Sequence, residues 1–591
     1  MMRTTSAFYS CLTSALFVWS ALSLGAAEKP NVLLILADDM GYTDVGAFAE
    51  RVTGVATEEQ FYETPNLDRL AKGGVAFSQA YACPLCSPTR SSILTGRYAG
   101  KIGFTTATPG IVRSWYNQNK TPPPGHLTQD AIFWGDRIPH EQALWNGGSL
   151  LALPSGQNGD LGRDANTIAE VLNESGYRSA FVGKWHLGGH GSVGYEPKDQ
   201  GFEELAYFDA GGSPYFNWRK VWESDRLTHP QMPQDKLLHS NMGKDQDFEY
   251  LTDELTAQAT DFIRSHAETK KEQPFFLYFC QFALHSPIQA KKKDIAYFES
   301  KGSKGWNKHD NATYAAMNRS MDDSIGQLVK ALEETDQLEN TLIIFMSDNG
   351  GVSWPLNQKT KADDSRATSN APLKGGKAMV FEGGIRVPLF FYWKGKIEGG
   401  KWVDRSVDCN DLFPTILEYA GLDAKPYYSG VDGQPGIDGR SLTGLIEKPK
   451  GRGHYGRDTY FWHYPLNVQV YNPVDNLPLT PHSAIRKGPH KLIYDWSGRL
   501  WLYNVEKDIS EANNLTESKP KLARALFKEL NQWLDDNVEQ KYMPTLNPGY
   551  NAENDTRDYP FVDLRAKLLG DEFAIQAKPA YSVRHWEKAK N

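Results

Sequence analysis

The sequence predicts an α/β fold: a large, mostly parallel sheet sandwiched by helices, with a smaller C-terminal α+β subdomain containing an antiparallel sheet. Continuous apolar runs of strand length recur through the first 450 residues, and helical patterns separate them. Beyond residue 450, short alternating segments replace these runs. Strands that alternate with helices favour a parallel sheet covered on both faces, whereas short alternating segments favour antiparallel pairing.

Five apolar runs predict the strands of the large sheet. The first, Asn31–Ala37, reads NVLLILA, which is typical of a strand buried on both faces. The other four runs are 179–183, 274–280, 341–346 and 387–392. The helical patterns between the runs are 66–71, 167–174, 251–266 and 315–333. Ligands bind beyond the carboxyl ends of strands in such sheets, so the residues after each run are candidate site residues.

The chain divides into three predicted parts: a secretory signal peptide at 1–27, the α/β domain at 28–450, and the C-terminal subdomain at 451–591. The subdomain is expected to contain strands at 459–463 and 490–496, followed by a final helix at 519–537. Residues 104–163 are rich in Gly, Pro, Asn and Trp and show little periodicity. So long an irregular stretch is typical of a functional insertion.

The N-terminus is expected to direct export. One early charge, Arg3, precedes an apolar stretch at about 12–24 and the small residues Gly25, Ala26 and Ala27. An uncleaved membrane anchor is the alternative, but the stretch is shorter than the ~20 residues that a span needs. We therefore expect a secreted or periplasmic protein with no membrane span after signal cleavage.

Charge and cysteine content exclude two classes of protein. The formal net charge is -8 and no basic run is long enough to follow a phosphate backbone, which argues against a nucleic-acid partner. Five cysteines give no disulfide framework, because Cys11 lies in the signal and Cys86 belongs to a motif. Of the remaining Cys83, Cys280 and Cys409, we expect Cys280, inside an apolar strand, to be a buried free thiol.

Two strand ends supply hard oxygen ligands. The first strand runs into Asp38 and Asp39, and the 341–346 run is soon followed by Asp348 and Asn349. Either pair alone would equally suit a solvated turn. Taken together they offer four oxygen ligands and no soft ligand, which suits Ca2+ or Mg2+ rather than zinc.

A possible nucleophile and several cations occupy similar positions. Cys86 stands at a predicted helix start, and Arg90 lies one turn later on the same face. Helix-terminal amides and a nearby cation both favour an anionic oxygen or sulfur at position 86. The other polar residues at strand ends or in glycine-bounded loops are Lys184, His186, His285, Lys374 and Lys377.

These residues lie within ten short motifs that follow one another between Pro30 and Leu515. The motifs are LADDMGYTDVG, TPNLDRLA, CSPTRSSILTGR, GKWHLG, FALHSP, SDNGG, LKGGKAMVFEGGIRVP, DLFPTILEYAGL, AIRKGPHKLIY and LYNVEKDISEANNL. Each is weak evidence alone, but the ordered set is specific. The chain resembles the type I, formylglycine-dependent sulfatases, which are arylsulfatase-like members of the alkaline phosphatase superfamily.

The resemblance implies hydrolysis of a sulfate ester to an alcohol and sulfate. Cys86 would be converted to formylglycine (3-oxoalanine) by a formylglycine-generating or other sulfatase-maturating enzyme, and a hydroxyl of the hydrated aldehyde would attack sulfur. The same resemblance implies that Asp38, Asp39, Asp348, Asn349 and the modified position 86 hold one Ca2+.

The resemblance also implies roles for the cationic residues. Arg90 and Lys184 would stabilise the hydrate and the developing charge, and Lys377 would bind the sulfate in preference to its neighbour in the loop. His285 would protonate the leaving alcohol, and His186 would help to take a proton as the sulfated intermediate collapses. Lys184, His285 and Lys377 would thereby contact the substrate.

A sulfated carbohydrate is the predicted substrate, because the chain is aromatic-rich and carries a long insertion near its nucleophile. Small aryl or alkyl sulfates are the alternative. The aromatic segment 461–465 either lines the substrate cleft, with His463 binding substrate, or packs in the core of the second sheet. Two other functions are weighed. A phosphodiesterase or phosphatase of the same superfamily is disfavoured by Asn349, where a histidine would follow the aspartate. A non-catalytic binding protein is disfavoured because every expected catalytic position is retained.

Overall fold

The computed structural model describes residues 29–107, 143–145, 147–150, 166–188, 197–208, 212–216, 218, 250–354, 366–430, 436–449, 455–466, 481–555 and 559–577. The predicted signal peptide and most of the predicted 104–163 insertion lie outside these residues. Of the helices in the described ranges, none is both long enough and apolar enough to cross a bilayer.

The described strands form a nine-stranded sheet, a four-stranded sheet and a two-stranded ribbon. The strands are β1 (Asn31–Ala37), β2 (Val75–Tyr81), β3 (Leu144–Trp145), β4 (Arg178–Lys184), β5 (Glu203–Phe208), β6 (Phe275–Cys280), β7 (Thr341–Ser347), β8 (Arg386–Val387), β9 (Leu389–Tyr392), β10 (Lys401–Asp408), β11 (Thr459–Tyr464), β12 (His482–Lys487), β13 (His490–Asp495), β14 (Arg499–Asn504) and β15 (Thr545–Leu546).

The nine-stranded sheet is mostly parallel, as predicted. Its order is β10-β2-β9-β7-β1-β6-β4-β5, with β8 beside β2. Neighbouring strands run parallel except where β9 meets β7 and β2, and where β8 meets β2. Along β1, Val32, Leu34 and Leu36 enter one apolar core while Leu33 and Ile35 enter the other. Both faces of the strand are therefore buried, which explains why its sequence is apolar without alternation.

Helices cover both faces of this sheet. The described helices are α1 (Gly46–Thr53), α2 (Pro65–Gly73), α3 (Cys86–Thr95), α4 (Ala99–Ile102), α5 (Ile168–Glu174), α6 (Leu251–Thr269), α7 (Lys292–Ser300), α8 (Ala312–Glu334), α9 (Glu382–Ile385), α10 (Leu412–Tyr419), α11 (Lys425–Ser429), α12 (Thr443–Glu447), α13 (Pro520–Asn537) and α14 (Leu564–Leu569). The four predicted helices correspond to α2, α5, α6 and α8, each within a few residues.

The C-terminal residues form the second, antiparallel sheet that the sequence predicts. Its order is β11-β12-β13-β14, and α13 packs against β12 and β13. One expectation is wrong: α13 is not the final helix, because the short α14 follows it. Asp563 caps α14 by accepting from the backbone N–H groups of Arg565 and Ala566. The ribbon of β3 and β15 joins residues near 145 to residues near 545.

Candidate active site

Strand ends bring the predicted site residues to one edge of the large sheet. β1 pairs in parallel with β6 and β7, and the last residues of β1 and β7 lie opposite each other. β4 is aligned with β6 in the same way. Because parallel strands in register end together, Asp38 after β1, Asp348 after β7 and Lys184 at the end of β4 emerge at the same place.

The oxygen ligands predicted from the sequence converge there. Ligand atoms of Asp38, Cys86 and Asp348 all lie within 4.8 Å of one another. Nδ2 of Asn349 donates to Oδ1 of Asp39 at 2.8 Å. Burial raises the pKa of Asp38 to about 8, and the negative charge of Asp348 is the second contribution to this rise. Buried carboxylates that lie this close together stay ionised only when cations lie beside them.

Two oxygens in this cluster are buried acceptors with nothing to accept from. Within the described part of the chain, Oδ1 of Asp38 and Oδ1 of Asn349 have no hydrogen-bond partner. A buried oxygen without a donor is costly, and a cation is one way to satisfy it. The donor set consists of carboxylate and amide oxygens, which is the chemistry that Ca2+ prefers. The residues therefore fit a hard divalent cation.

Asp39 links the ligand cluster to Lys377 and His285. Its backbone is in the left-handed region, with φ at 58°, and its N–H donates to Oδ1 of Asp348 at 3.2 Å. Nζ of Lys377 lies 2.6 Å from Oδ1 of Asp39, and Nε2 of His285 lies 3.8 Å from Oδ2. Burial alone would raise the pKa of Asp39, but Lys377 and then His285 outweigh it and hold that pKa below its usual range.

The helix α3 holds Cys86 and Arg90 in the predicted relation. It begins at Cys86, is buried throughout, and ends at Gly96, whose φ of 67° suits glycine. Nη2 and Nε of Arg90 donate to Oδ2 of Asp348 at 2.8 and 3.2 Å, and Nη1 donates to the carbonyl of Lys184 at 2.6 Å. Arg90 thus ties α3 to the ends of β7 and β4.

Position 86 is poorly suited to act as a thiolate. Burial raises the pKa of the Cys86 thiol, and Lys184 and Lys377 offset this only in part. A thiol with a raised pKa is a weak nucleophile at neutral pH. The position of Cys86 at the N-terminal, positive end of the α3 dipole nevertheless favours an anion here.

The two candidate lysines of the glycine-bounded loop point in different directions. Nζ of Lys377 contacts Asp39, which raises the pKa of this lysine despite its burial. Nζ of Lys374 instead lies 3.4 Å from the hydroxyl of Tyr503 and 3.3 Å from the carbonyl of Glu511. The structure therefore brings Lys377 to the site and holds Lys374 against the C-terminal sheet. Lys184, fully buried, makes an ion pair with Asp38.

His285 is oriented by its own chain. Nδ1 lies 2.6 Å from the carbonyl of Ser286, so Nδ1 carries a hydrogen and Nε2 faces Asp39. Its side chain is 19% exposed, so the ring reaches the edge of the cluster. Burial lowers the pKa of His285 to about 3, with the positive charge of Lys377 as the second contribution, and Asp39 opposes this shift.

The other two predicted histidines take different positions. The carbonyl of His186 accepts from Oγ of Ser87, which places this backbone against the start of α3. His463 is buried in the C-terminal sheet, where its ring nitrogens lie 2.8 Å from Oγ of Ser483 and 3.0 Å from the carbonyl of Tyr542. Because both ring nitrogens are engaged, the geometry favours core packing over substrate binding for His463.

Some residues that shape the site carry no signal in a single sequence. Oγ1 of Thr89 donates to the carbonyl of Asp348 at 2.5 Å. The side chain of Asn370 accepts from the N–H of Gly351 at 3.1 Å and donates to the carbonyl of Gly375 at 3.1 Å, so it joins the loop after β7 to the loop that carries Lys374 and Lys377. Threonine in a helix and asparagine in a loop are too common to single out.

The cluster is balanced in charge. Its three carboxylates, those of Asp38, Asp39 and Asp348, face three cations. The cations are Arg90, Lys184 and Lys377. Each carboxylate has one cation within ion-pair distance, so a buried arrangement that would otherwise be unfavourable becomes tolerable.

Two family models match this chain. Residues 30–133 and 137–422 match the sulfatase family, and residues 376–540 match the C-terminal region of N-sulphoglucosamine sulphohydrolase. The first match includes every residue of the cluster, and the second covers the four-stranded antiparallel sheet and α13.

Individual proteins agree with these matches. A sulfatase of Formosa agariphila is 28% identical over 90% of this chain and 93% of its own length. The N-acetylgalactosamine-6-sulfatase of Sus scrofa is 32% identical over 73% of this chain and 71% of its own. The crystal structure of Ps i-CgsB in complex with k-i-k-neocarrahexaose is similar with a TM-score of 0.61 and 29% identity, covering 87% of this chain and 94% of that one.

Proposed function

The chain belongs to the sulfatase family of sulfuric ester hydrolases, and from this premise we propose that it removes sulfate from a sulfated carbohydrate. The reaction would use a hydrated formylglycine at position 86 and one Ca2+. The observation that carries the proposal is the buried cluster itself. It sets Cys86 at a helix start, among oxygen ligands and cations that suit a sulfate group.

Asp38, Asp39, Asp348 and Asn349 are the residues that would hold the metal, together with the oxygen at the modified position 86. When bound, Ca2+ would supply a Lewis acid for a sulfate oxygen and for the attacking hydroxyl. The two unpartnered oxygens, Oδ1 of Asp38 and Oδ1 of Asn349, support this assignment. Arg90 keeps Asp348 in place through two hydrogen bonds to the same carboxylate oxygen.

Position 86 would supply the nucleophile after maturation by another enzyme. The hydrated aldehyde has two hydroxyls, so one can attack sulfur and the other can later expel sulfate without water attacking sulfur. The raised pKa of the Cys86 thiol supports this reading over direct attack by a thiolate. The helix start and Lys184 would favour the negative charge that develops on the attacking oxygen.

Lys377 and Lys184 would stabilise the sulfate as negative charge spreads over its oxygens. Both ammonium groups are buried and form ion pairs with carboxylates that would hold the metal. Fixed cations in such surroundings need little reorganisation during reaction, which is a large source of catalysis.

His285 would protonate the leaving sugar oxygen. Because Nδ1 faces the carbonyl of Ser286, the proton that it delivers is the one on Nε2, which faces the cluster. An arriving sulfate adds negative charge beside the ring and thereby raises the pKa of His285 from the low value that burial and Lys377 impose. His186 would assist proton removal in the second half of the reaction.

The carbohydrate assignment is supported by two similar proteins. The name of the Sus scrofa relative, N-acetylgalactosamine-6-sulfatase, indicates a sulfated sugar as its substrate. Ps i-CgsB was crystallised in complex with k-i-k-neocarrahexaose. Secretion and a dependence on a sulfatase-maturating enzyme belong to the same proposal. The aryl- and alkyl-sulfate alternative and the phosphate-ester alternative define the other substrates to be tested.

The test is sulfate release by the matured protein from a panel of defined sulfated oligosaccharides, simple aryl and alkyl sulfates, and phosphate esters. We expect oligosaccharides to be preferred, and Cys86→Ala to abolish release while melting normally. Cys409→Ala, at another buried free cysteine, is the matched control and should stay active. Retained activity in Cys86→Ala would refute the formylglycine mechanism. Turnover of simple aryl sulfates with none of any oligosaccharide would refute the carbohydrate substrate.

A further inference from the structure

A short segment, residues 212–216, packs behind the turn that carries His285. The hydroxyl of Tyr215 lies 2.6 Å from the carbonyl of Phe282 and 3.0 Å from the carbonyl of His285, so it shares one proton between them. The N–H of Tyr215 donates to Oε1 of Gln289 at 3.0 Å. The phenol is fully buried. Tyr215 thus fastens both ends of the turn Phe282–His285 from behind.

The first residue of the segment lies against the histidine ring itself. A Cβ at Gly212 would come within 2.8 Å of Nδ1 and 3.0 Å of Cε1 of His285, and within 3.0 Å of the carbonyl of Ser286. Real Cβ atoms do not approach so closely, so the ring occupies space that only a glycine leaves open. The imidazole is therefore confined between the backbone at Gly212 and the carbonyl of Ser286.

These contacts fix the direction of Nε2. Nδ1 is committed to the carbonyl of Ser286 at 2.6 Å, while Nε2 points toward Asp39 at 3.8 Å. The carbonyl of His285 accepts from Tyr215, and the ring occupies space beside Gly212 that a side chain there would fill. A general acid must meet the leaving oxygen at hydrogen-bond distance, so a small rotation of this turn would misdirect its proton.

We propose that Tyr215 is a positioning residue that aims Nε2 of His285 at the leaving-group oxygen, with Gly212 leaving room for the ring. This inference rests on the proposed role of His285 as the general acid. It predicts a particular kind of defect. Proton donation matters for alcohols, which leave as poor anions, and matters little for nitrophenols, which leave readily without a proton.

The experiment compares Tyr215→Phe with wild type over a series of aryl and alkyl sulfates whose leaving groups rise in pKa. We expect kcat/KM to fall about tenfold or more for alkyl and sugar sulfates and less than about twofold for nitrophenyl sulfate. Formylglycine content, measured by mass spectrometry, normalises each preparation. A destabilised or poorly matured protein would instead lose activity equally across the series.

Tyr250→Phe is the matched control. The ring of Tyr250 stacks on that of Tyr215 with centroids 5.5 Å apart, and its hydroxyl donates to the carbonyl of Gln289 at 2.9 Å. Both variants lose one buried phenol hydroxyl from the same aromatic pair, but only Tyr215 holds His285. An equal loss over the series in Tyr215→Phe, or the same profile in Tyr250→Phe, would overturn the proposal.

Two further variants separate this inference from the proposed function. His285→Gln should show a steeper leaving-group dependence than Tyr215→Phe; if it shows none, the acid role itself fails and the positioning role with it. If His285→Gln shows the dependence and Tyr215→Phe does not, only the positioning role fails. Gly212→Ala tests the same geometry at an exposed residue and should show the same leaving-group dependence that is expected for Tyr215→Phe. It therefore provides an independent test if Tyr215→Phe folds poorly.

Discussion

Replacing Lys491 with methionine would leave two buried carboxylates without the cation that they share. Nζ of Lys491 lies 2.8 Å from Oε1 of Glu382 and 2.8 Å from Oε1 of Glu511, and it donates to the carbonyl of Val380 at 3.0 Å. All three charged side chains are fully buried. Lys491 and Glu511 belong to the C-terminal region, and Glu382 opens α9 beside the lysine loop, so this cluster joins the two parts of the molecule.

The size of the effect follows from what each carboxylate retains. Removing one partner of a buried ion pair costs about 3–5 kcal/mol. Glu382 keeps the hydroxyl of Tyr81 at 2.8 Å and Arg386 at 3.4 Å. Burial already raises the pKa of Glu511 to about 7, so Glu511 takes up a proton readily once Lys491 is lost. We therefore expect the low end of the range, about 3 kcal/mol.

This loss translates into a measurable shift in melting temperature. An unfolding entropy of about 2.1 cal/mol/K per residue gives roughly 1.2 kcal/mol/K for 591 residues, so a loss of about 3 kcal/mol should lower Tm by about 2.5 °C. If the C-terminal sheet melts as a separate unit, the shift of that transition is larger. Scanning calorimetry distinguishes the two cases.

A second substitution tests the cause. In Lys491→Met/Glu511→Gln, the remaining carboxylate, Glu382, still faces Arg386, so much of the lost stability should return. A single variant as stable as wild type would refute the reasoning, since it would mean that the buried ion cluster contributes nothing. A double variant no more stable than the single one would show that lost packing, rather than unpaired charge, causes the effect.

Two further predictions concern the metal and pH. Chelation of the metal from the matured protein should lower Tm, because Asp38 and its neighbours lose their bound cation, and Ca2+ should restore Tm more fully than Mg2+. The Tm of Asp348→Asn should respond little to the chelator. A wild-type Tm that is insensitive to the chelator would contradict the site. Asp322 accepts from the N–H groups of Asn66 and Leu67, and burial raises its pKa from 3.8 to about 7. The folded chain therefore binds a proton that the unfolded chain releases, so stability should fall by up to about 4 kcal/mol as pH rises from 4 to 7. Asp322→Asn should remove that part of the slope in melts across this range, and an unchanged slope would contradict the assignment.

Strands of the large sheet with unbroken apolar runs could be predicted from sequence, and strands whose runs are broken by polar residues could not. β1, β6 and β7 are buried on both faces, so their apolar runs stand out. β10 reads KWVDRSVD and is half exposed, so its charges hide the pattern. β2 is buried but carries Ser78 and Gln79 in its middle, and β5 is an edge strand. Neighbouring strands, rather than local sequence, make these segments extended.

The candidate site divides in the same way. Residues that directly follow a buried strand, such as Asp38 and Asp348, could be placed because parallel strands end together. The choice between Lys374 and Lys377 could not be made from sequence spacing alone, since both flank the same glycine pair and the conformation of the turn decides which one meets Asp39. Tyr215 was missed altogether. It lies far from His285 along the chain, and no periodicity or motif in the sequence predicts a hydrogen bond between a tyrosine hydroxyl and a distant backbone carbonyl.

The charge balance of the cluster bears on how folding, metal binding and maturation relate to one another. Three carboxylates already face three cations, so each carboxylate has an ion-pair partner before any metal arrives. Folding then needs neither the proposed Ca2+ nor the modification of Cys86, and an unmodified protein should fold normally yet release no sulfate. A divalent cation added to a cluster whose carboxylates are already paired leaves it positive, and a positive, buried cleft attracts an anionic ester even in a chain of net charge -8. Metal binding would thus create the affinity for sulfate rather than complete the fold.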